Sequence, residues 1–95
     1  MPTLVDQIKH FSHAYVRKGG KTNRKQQVKR LIYVVSWISI HYPQINRLEQ
    51  IGKNQIIQFW KNHRSLSSST AYGYWLAVKR LWNWLDRHSE PPKPK

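Results

Sequence analysis

The chain has no cysteine, and only four of its 95 residues are acidic. The first absence excludes disulfides and cysteine-ligated zinc, and it fits a reducing compartment. The second leaves little for general acid–base or divalent-metal chemistry. Asp86 and Glu90 stand four apart, but Glu90 directly precedes Pro91 and is expected outside any helix. No apolar run approaches the ~20 residues that a membrane span needs. The opening MPTLVDQIKH lacks the long apolar region of a secretory leader. A soluble, cytoplasmic domain is the expectation.

What the chain has in excess is positive charge. Seventeen Lys and Arg give a formal net charge of +13 and a pI near 10.6. Self-repulsion on that scale opposes compaction and points to a polyanionic partner. Apolar residues make up 39% of the chain and aromatics 13%, enough for one small core. An anionic membrane surface is the weaker rival, since it requires a basic amphipathic stretch with exposed apolar residues.

Hydrophobic periodicity predicts an all-α, compact four-helix bundle over residues 1–88, followed by a Pro/Lys-rich linker or tail at 89–95. Helix one is predicted from Thr3 to Lys18, with Leu4, Ile8, Phe11 and Tyr15 on one face, flanked by Val5 and Val16. Thr3 and Asp6 form a candidate capping box, and the glycines of RKGGK supply a stop. Helix two is predicted from Thr22 to His41, with Val28, Leu31, Ile32, Val35 and Ile38 buried. Its β-branched piece YVVSWI has a strand as the competing reading. In the connector that follows, Ile45, Leu48 and Ile51 are candidate core plugs. Helix three is short, Lys53 to His63, with Ile56, Ile57, Phe59 and Trp60 as its apolar face. Helix four runs from Ser69 to His88 on Ala71, Tyr74, Trp75, Val78, Leu81, Trp82 and Leu85. The tail SEPPKPK cannot be helical and reads as a linker or frayed end.

Enzymatic constellations are not found. His10 and His13 lie one turn apart but lack a third ligand, so no metal or other cofactor is expected. KGGKT resembles the end of a phosphate-binding loop, yet Tyr15 stands where the first glycine belongs and no strand is predicted before it. The basic cluster is more informative. Between Arg17 and Arg30, fourteen residues carry seven cations and no acid. Lys21, Thr22 and the free N–H groups at the start of helix two can all point donors at one phosphate. Lys25 and Lys29 share a face turned away from the buried stripe, and Arg24 belongs to the same run. No glutamate is spaced to pair with them, as a merely solvated helix would arrange.

Helix four carries the second cluster. Opposite its apolar stripe lie Ser69, Tyr72, Gly73, Lys79, Arg80, Asn83 and Arg87. Ser68 or Ser69 is the expected N-cap, and Ser68, Ser69 and Thr70 can also offer hydroxyls to a phosphate. Gly73 inside a helix allows either close approach of a ligand backbone or packing against another helix. Trp75 and Trp82 are expected in the core. Trp84 lies off the stripe, where it either covers an edge or awaits a partner.

Three stretches in this order, GKTNRKQQVKRLIYVVSWI, LEQIGKNQIIQFW and LSSSTAYGYWLAVKRLWNWL, resemble the N-terminal core-binding, SAM-like domain of the phage-integrase family of tyrosine recombinases. The resemblance covers nearly the whole chain. It implies a domain that forms half of a clamp on double-stranded DNA at the recombination site, beside other recombinase protomers, in a prokaryotic cytoplasm. No membrane or small-molecule substrate is implied. By position it nominates Lys21, Thr22, Arg24, Lys25 and Lys29 on helix two, and Ser68, Ser69, Thr70, Tyr72, Lys79 and Arg80 on helix four. The family's catalytic domain would follow the linker, so this chain alone is expected to cleave nothing. It is either a domain of a longer integrase or a freestanding accessory factor. The alternative is an RNA- or protein-interaction module that uses Trp37 and Trp84 as exposed aromatics.

Overall fold

The computed structural model describes residues 3–17 and 21–94, with the side chains of residues 14–17, Lys21 and Thr22 outside that description. Among the described residues four helices make up the bundle, α1 Leu4–Arg17, α2 Lys21–His41, α3 Lys53–Lys61 and α4 Ser68–Trp84, with a 3-10 turn at Leu48–Gln50. The domain is all-α, with no strand among the described residues. The segment Tyr33–Ile38 lies wholly inside α2, so its β-branched content is overridden by the long flanking periodicity. The glycine stop at Gly19–Gly20 falls outside the described residues.

Each helix begins with the chemistry its sequence offers. At α1 the Thr3 N–H donates to Asp6 Oδ2 and the Asp6 N–H donates to Thr3 Oγ1, both at 3.1 Å. This reciprocal box holds the Asp6 carboxyl below its ordinary value, chiefly through the Thr3 backbone N–H and then through its hydroxyl. The α1 face that enters the core is Leu4, Ile8 and Ser12, four apart. Ser12 donates its hydroxyl to Lys9 O at 2.9 Å and so is satisfied in place. Phe11, expected on that face, sits at its edge at 36% exposed, and Tyr15 and Val16 have side chains outside the description.

α2 is the centre of the bundle and packs against each of the other three helices. Leu31, Val34, Val35 and Ile38 are fully buried, with Val28 and Ile32 half-buried beside them. The connector after α2 is pinned by glutamines rather than left loose. Gln7 of α1 donates Nε2–H to Asn46 O (2.8 Å) and accepts the Leu48 N–H (3.0 Å). Gln50 Oε1 accepts from the N–H groups of Asn46 and Arg47, and Gln55 Oε1 accepts from Gly52 N–H at 2.7 Å. These bonds satisfy backbone groups that a buried loop would otherwise strand, and they seat Ile45, Leu48 and Ile51 in the core.

α3 ends at Lys61, two residues short of the predicted limit. Ile56, Phe59 and Trp60 are buried, but Ile57 is 38% exposed. His63 follows as an anchor between elements. Its Nδ1 lies 2.8 Å from Phe59 O, which can only accept, so in the neutral ring Nδ1 carries the proton. Nε2 then accepts from the Tyr33 hydroxyl at 3.0 Å. The ring also stacks on Phe59 at 4.0 Å, and the Tyr33 bond ties this end of α3 to α2.

α4 is capped by Ser67, not by Ser68 or Ser69. Ser67 holds extended backbone (φ −63°, ψ 159°), and its Oγ accepts the Thr70 N–H at 3.2 Å. The helix stops at Trp84, four residues before the predicted His88. Arg87 N–H returns to Trp82 O and Asp86 N–H to Asn83 O, with Asp86 at φ 56°. That is a Schellman closure with aspartate where glycine is usual. Leu85, counted in the helical stripe, is its C-cap and half-buried. Beyond it the tail packs on the bundle. Trp75 Nε1–H donates to Pro91 O (3.2 Å) and Trp60 Nε1–H to Pro92 O (2.9 Å), with Pro91 buried. Two indole donors that would otherwise need other partners thus meet carbonyls of a segment that cannot form a helix.

Candidate nucleic-acid interface

The N-terminal half of α2 sorts its cations by angle. Leu31, Val35 and Ile38 set the inward direction. Lys25 and Lys29, spaced one turn apart, fall on the opposite side and are exposed. Arg24 lies two turns before Leu31 and so shares the inward line. It is half-buried and already engaged within the chain. The side chains of Lys21 and Thr22 lie outside the described residues, so the phosphate cradle expected of them has no geometry to report.

Arg30 is the residue that sequence reasoning passed over. It belongs to the basic run, yet it was not nominated with its neighbours. Its guanidinium lies across Gly73 of α4: a Cβ on Gly73 would stand 2.8 Å from Arg30 Cζ and Nη1 and 3.2 Å from Nη2. Gly73 is therefore buried in the seam between α2 and α4, not open on the outer face. The two readings of this glycine resolve as helix packing, with a cation filling the place of its side chain. The signal was present in the sequence as a helical glycine together with a cation at the margin of the facing helix's buried stripe. Only tertiary packing pairs them.

The expected outer face of α4 divides into two. Arg80 is two turns from Gly73 and lies on the side turned to α2. It is half-buried and engaged within the chain. Tyr72 and Lys79, also two turns apart, lie on the other side with Ser68, around a shallow cavity of about 540 Å3 that Trp75, Lys93 and Pro94 also line. Tyr72 is 56% exposed, its ring 5.8 Å from that of Trp75. Lys79 is not idle: its Nζ is 3.9 Å from Glu90 Oε1 and 5.1 Å from the Trp75 ring centre. Lys93 approaches the same ring at 5.5 Å.

At the start of α4 Ser68, Ser69 and Thr70 are all exposed. The Ser67 hydroxyl donates to Thr70 Oγ1 at 2.9 Å and lies 3.5 Å from Ser69 Oγ. Thr70 therefore spends both its N–H and its Oγ1 on the cap. The backbone N–H groups of Ser68 and Ser69, first in the helix, have no carbonyl within it to bond. Arg87, placed by sequence on the outer face, is instead structural. It donates Nη2–H to Glu49 O at 2.9 Å and lies 4.6 Å over Trp82. Burial lowers its pKa from the ordinary value, and Glu49 opposes that shift.

The exposed-aromatic alternative loses its two named residues. Trp84 is half-buried and stacks on Phe11, ring centres 5.5 Å apart and planes 10° from parallel. Trp37 is half-buried against His41 at 4.3 Å and edge-on to Phe59 at 5.6 Å. His10 and His13 are exposed, and among the described residues no three His, Asp or Glu side chains gather in a metal-binding group. No described helix is long and apolar enough to cross a membrane. Comparison with protein-family models, with curated proteins and with solved structures finds no match to this chain.

Proposed function

We propose that this chain is a duplex-DNA-binding domain of the core-binding type found in phage-integrase tyrosine recombinases. In this reading it acts in the cytoplasm of a prokaryote and clamps DNA at a recombination site alongside other protomers. Strand cleavage belongs to a separate catalytic domain, and this chain contributes grip. The observation that carries the reading is the exposed pair Lys25 and Lys29, one turn apart on the outward side of α2, in a run with seven cations and no acid between Arg17 and Arg30. The start of α4 adds exposed Ser68, Ser69 and Tyr72. Cations, helix N–H groups and hydroxyls are the donors that phosphate backbones recruit. The recombinase assignment itself rests on the resemblance of the three sequence stretches.

The test is a titration of duplex DNA at several salt concentrations. Affinity should fall with log salt at about 0.9 log units per phosphate neutralised. Lys25→Ala with Lys29→Ala should reduce that slope by about two contacts' worth and weaken all sequences alike. Affinity that is flat in salt, or an unchanged slope in the double variant, refutes the contact surface. Stronger binding to single strands than to duplex would favour an RNA-type module instead.

A further inference from the structure

A second cavity shares Lys93 and Pro94 of the tail with the one beside Tyr72, and the DNA reading makes no use of its α3 side. Its volume is about 500 Å3, within the range of sites that hold small ligands or side chains. The floor is apolar: Ile57 and Trp60 of α3 with Pro92 and Pro94 of the tail. Ile57 is left 38% exposed there. The Trp60 indole N–H is already given to Pro92 O, so it offers no polar donor to a guest. The rim carries Lys61, Arg64 and Lys93, all exposed, and among the described residues no carboxylate lines the groove.

We infer that this groove docks an acidic protein segment that carries a large apolar side chain. The apolar floor removes that side chain from water, and flanking Asp or Glu residues meet the three cations. Arg64 can hold a carboxylate with two parallel N–H bonds. A phosphate backbone would satisfy the rim alone and leave Ile57 uncovered. That mismatch favours an acidic peptide over nucleic acid. Lys93 and Pro94 also line the cavity beside Tyr72, but Ile57, Trp60, Lys61 and Arg64 do not, and these four carry the inference separately from DNA binding.

Backbone and indole NMR shifts of the full chain test it, with acetyl-Asp-Glu-Leu-Leu-Glu-Asp-amide as probe. The Trp60 indole N–H and the amides of Ile57 and Lys61 should shift saturably. Replacing both leucines of the probe with serine should weaken binding by about tenfold or more, the worth of burying one such side chain. Ile57→Ser removes part of the apolar floor and leaves the charge of the groove unchanged, and it should lose affinity similarly. Lys61→Glu with Arg64→Glu should abolish binding and transfer it to a probe with lysines in place of the acids. Both positions are exposed, so an unchanged spectrum elsewhere certifies the fold. Equal affinity for the leucine and serine probes, or shifts spread equally over Lys25 and Lys29, would mean generic attraction of anions and overturn the proposal. So would duplex DNA moving Trp60 and Ile57 while the leucine probe does not.

Discussion

Gly73→Ala makes the seam between α2 and α4 measurable. In an open helix the change favours stability by about 1 kcal/mol, because alanine costs less backbone entropy. Here the new Cβ would stand 2.8 Å from two atoms of the Arg30 guanidinium, so that group must move. It is the free end of a long side chain, and swinging it off its rotamer costs roughly 0.5–1.5 kcal/mol. The two terms nearly cancel, so the single variant should fold with a stability within about 1 kcal/mol of the parent. In an Arg30→Ala background the obstacle is gone, and the same change should stabilise by about 1 kcal/mol. The double-mutant cycle isolates the difference as a coupling of about 1 kcal/mol. Urea melts followed by tryptophan fluorescence read it. In thermal melts, 1 kcal/mol moves the midpoint by roughly 4–8 °C in a domain near this size. If Gly73→Ala has the same effect in both backgrounds, Arg30 does not lie over Gly73 and the seam as described is wrong.

Asp86→Gly should stabilise by about 1 kcal/mol: it relieves a left-handed φ of 56° and removes a negative charge from the helix C-terminus. A lower urea midpoint for this variant would contradict the Schellman closure. Gln7→Ala strands the Leu48 N–H and frees the connector, and it should cost about 1–3 kcal/mol. Hydrogen exchange at Leu48 should speed up in step, and unchanged exchange would count against the clamp. The lowered Asp6 pKa means that its box stabilises the fold fully above the unfolded carboxyl value of 3.8. That contribution is lost as pH falls through the folded value. Carboxyl-carbon NMR should place the Asp6 midpoint below 3.8, and a midpoint at or above it refutes the box.

The architecture was legible where periodicity and capping chemistry agree. The Thr3–Asp6 box, the α2 stripe and the plugs Ile45, Leu48 and Ile51 all follow from residue type and spacing. Helix ends were less legible, for a local reason. Three serines in a row offer three equivalent caps, and Ser67 takes the role because it holds the extended backbone. Asp86 carries no glycine signal, so the stop after Trp84 is written only in the return bonds from Asp86 and Arg87. The Gln7 clamp was invisible because its partners lie 39 and 41 residues away. The packed tail shows the same limit. Proline excludes helix there, but the indole donors of Trp60 and Trp75 that hold Pro91 and Pro92 are not visible in the local sequence.

Charge was the least reliable guide to the candidate surface, because a count of cations says nothing of what each one holds. Arg87 stacks on Trp82 and binds the Glu49 carbonyl, Arg47 pairs with Glu49 at 3.7 Å, and Arg30 fills the space over Gly73. Lys79 is shared between Glu90 and the Trp75 ring. A phosphate arriving at Lys79 therefore meets a carboxylate of the chain itself nearby, whereas Lys25 and Lys29 stand exposed on the outward side of α2. The Lys79–Glu90 pair is exposed, so its strength in water is small. Its effect is on geometry more than on energy, since it places Glu90 where an anion approaching Ser68 and Tyr72 would pass. Of the cations nominated from sequence whose side chains are described, Lys25 and Lys29 are thus the pair whose removal should register most directly in the salt slope.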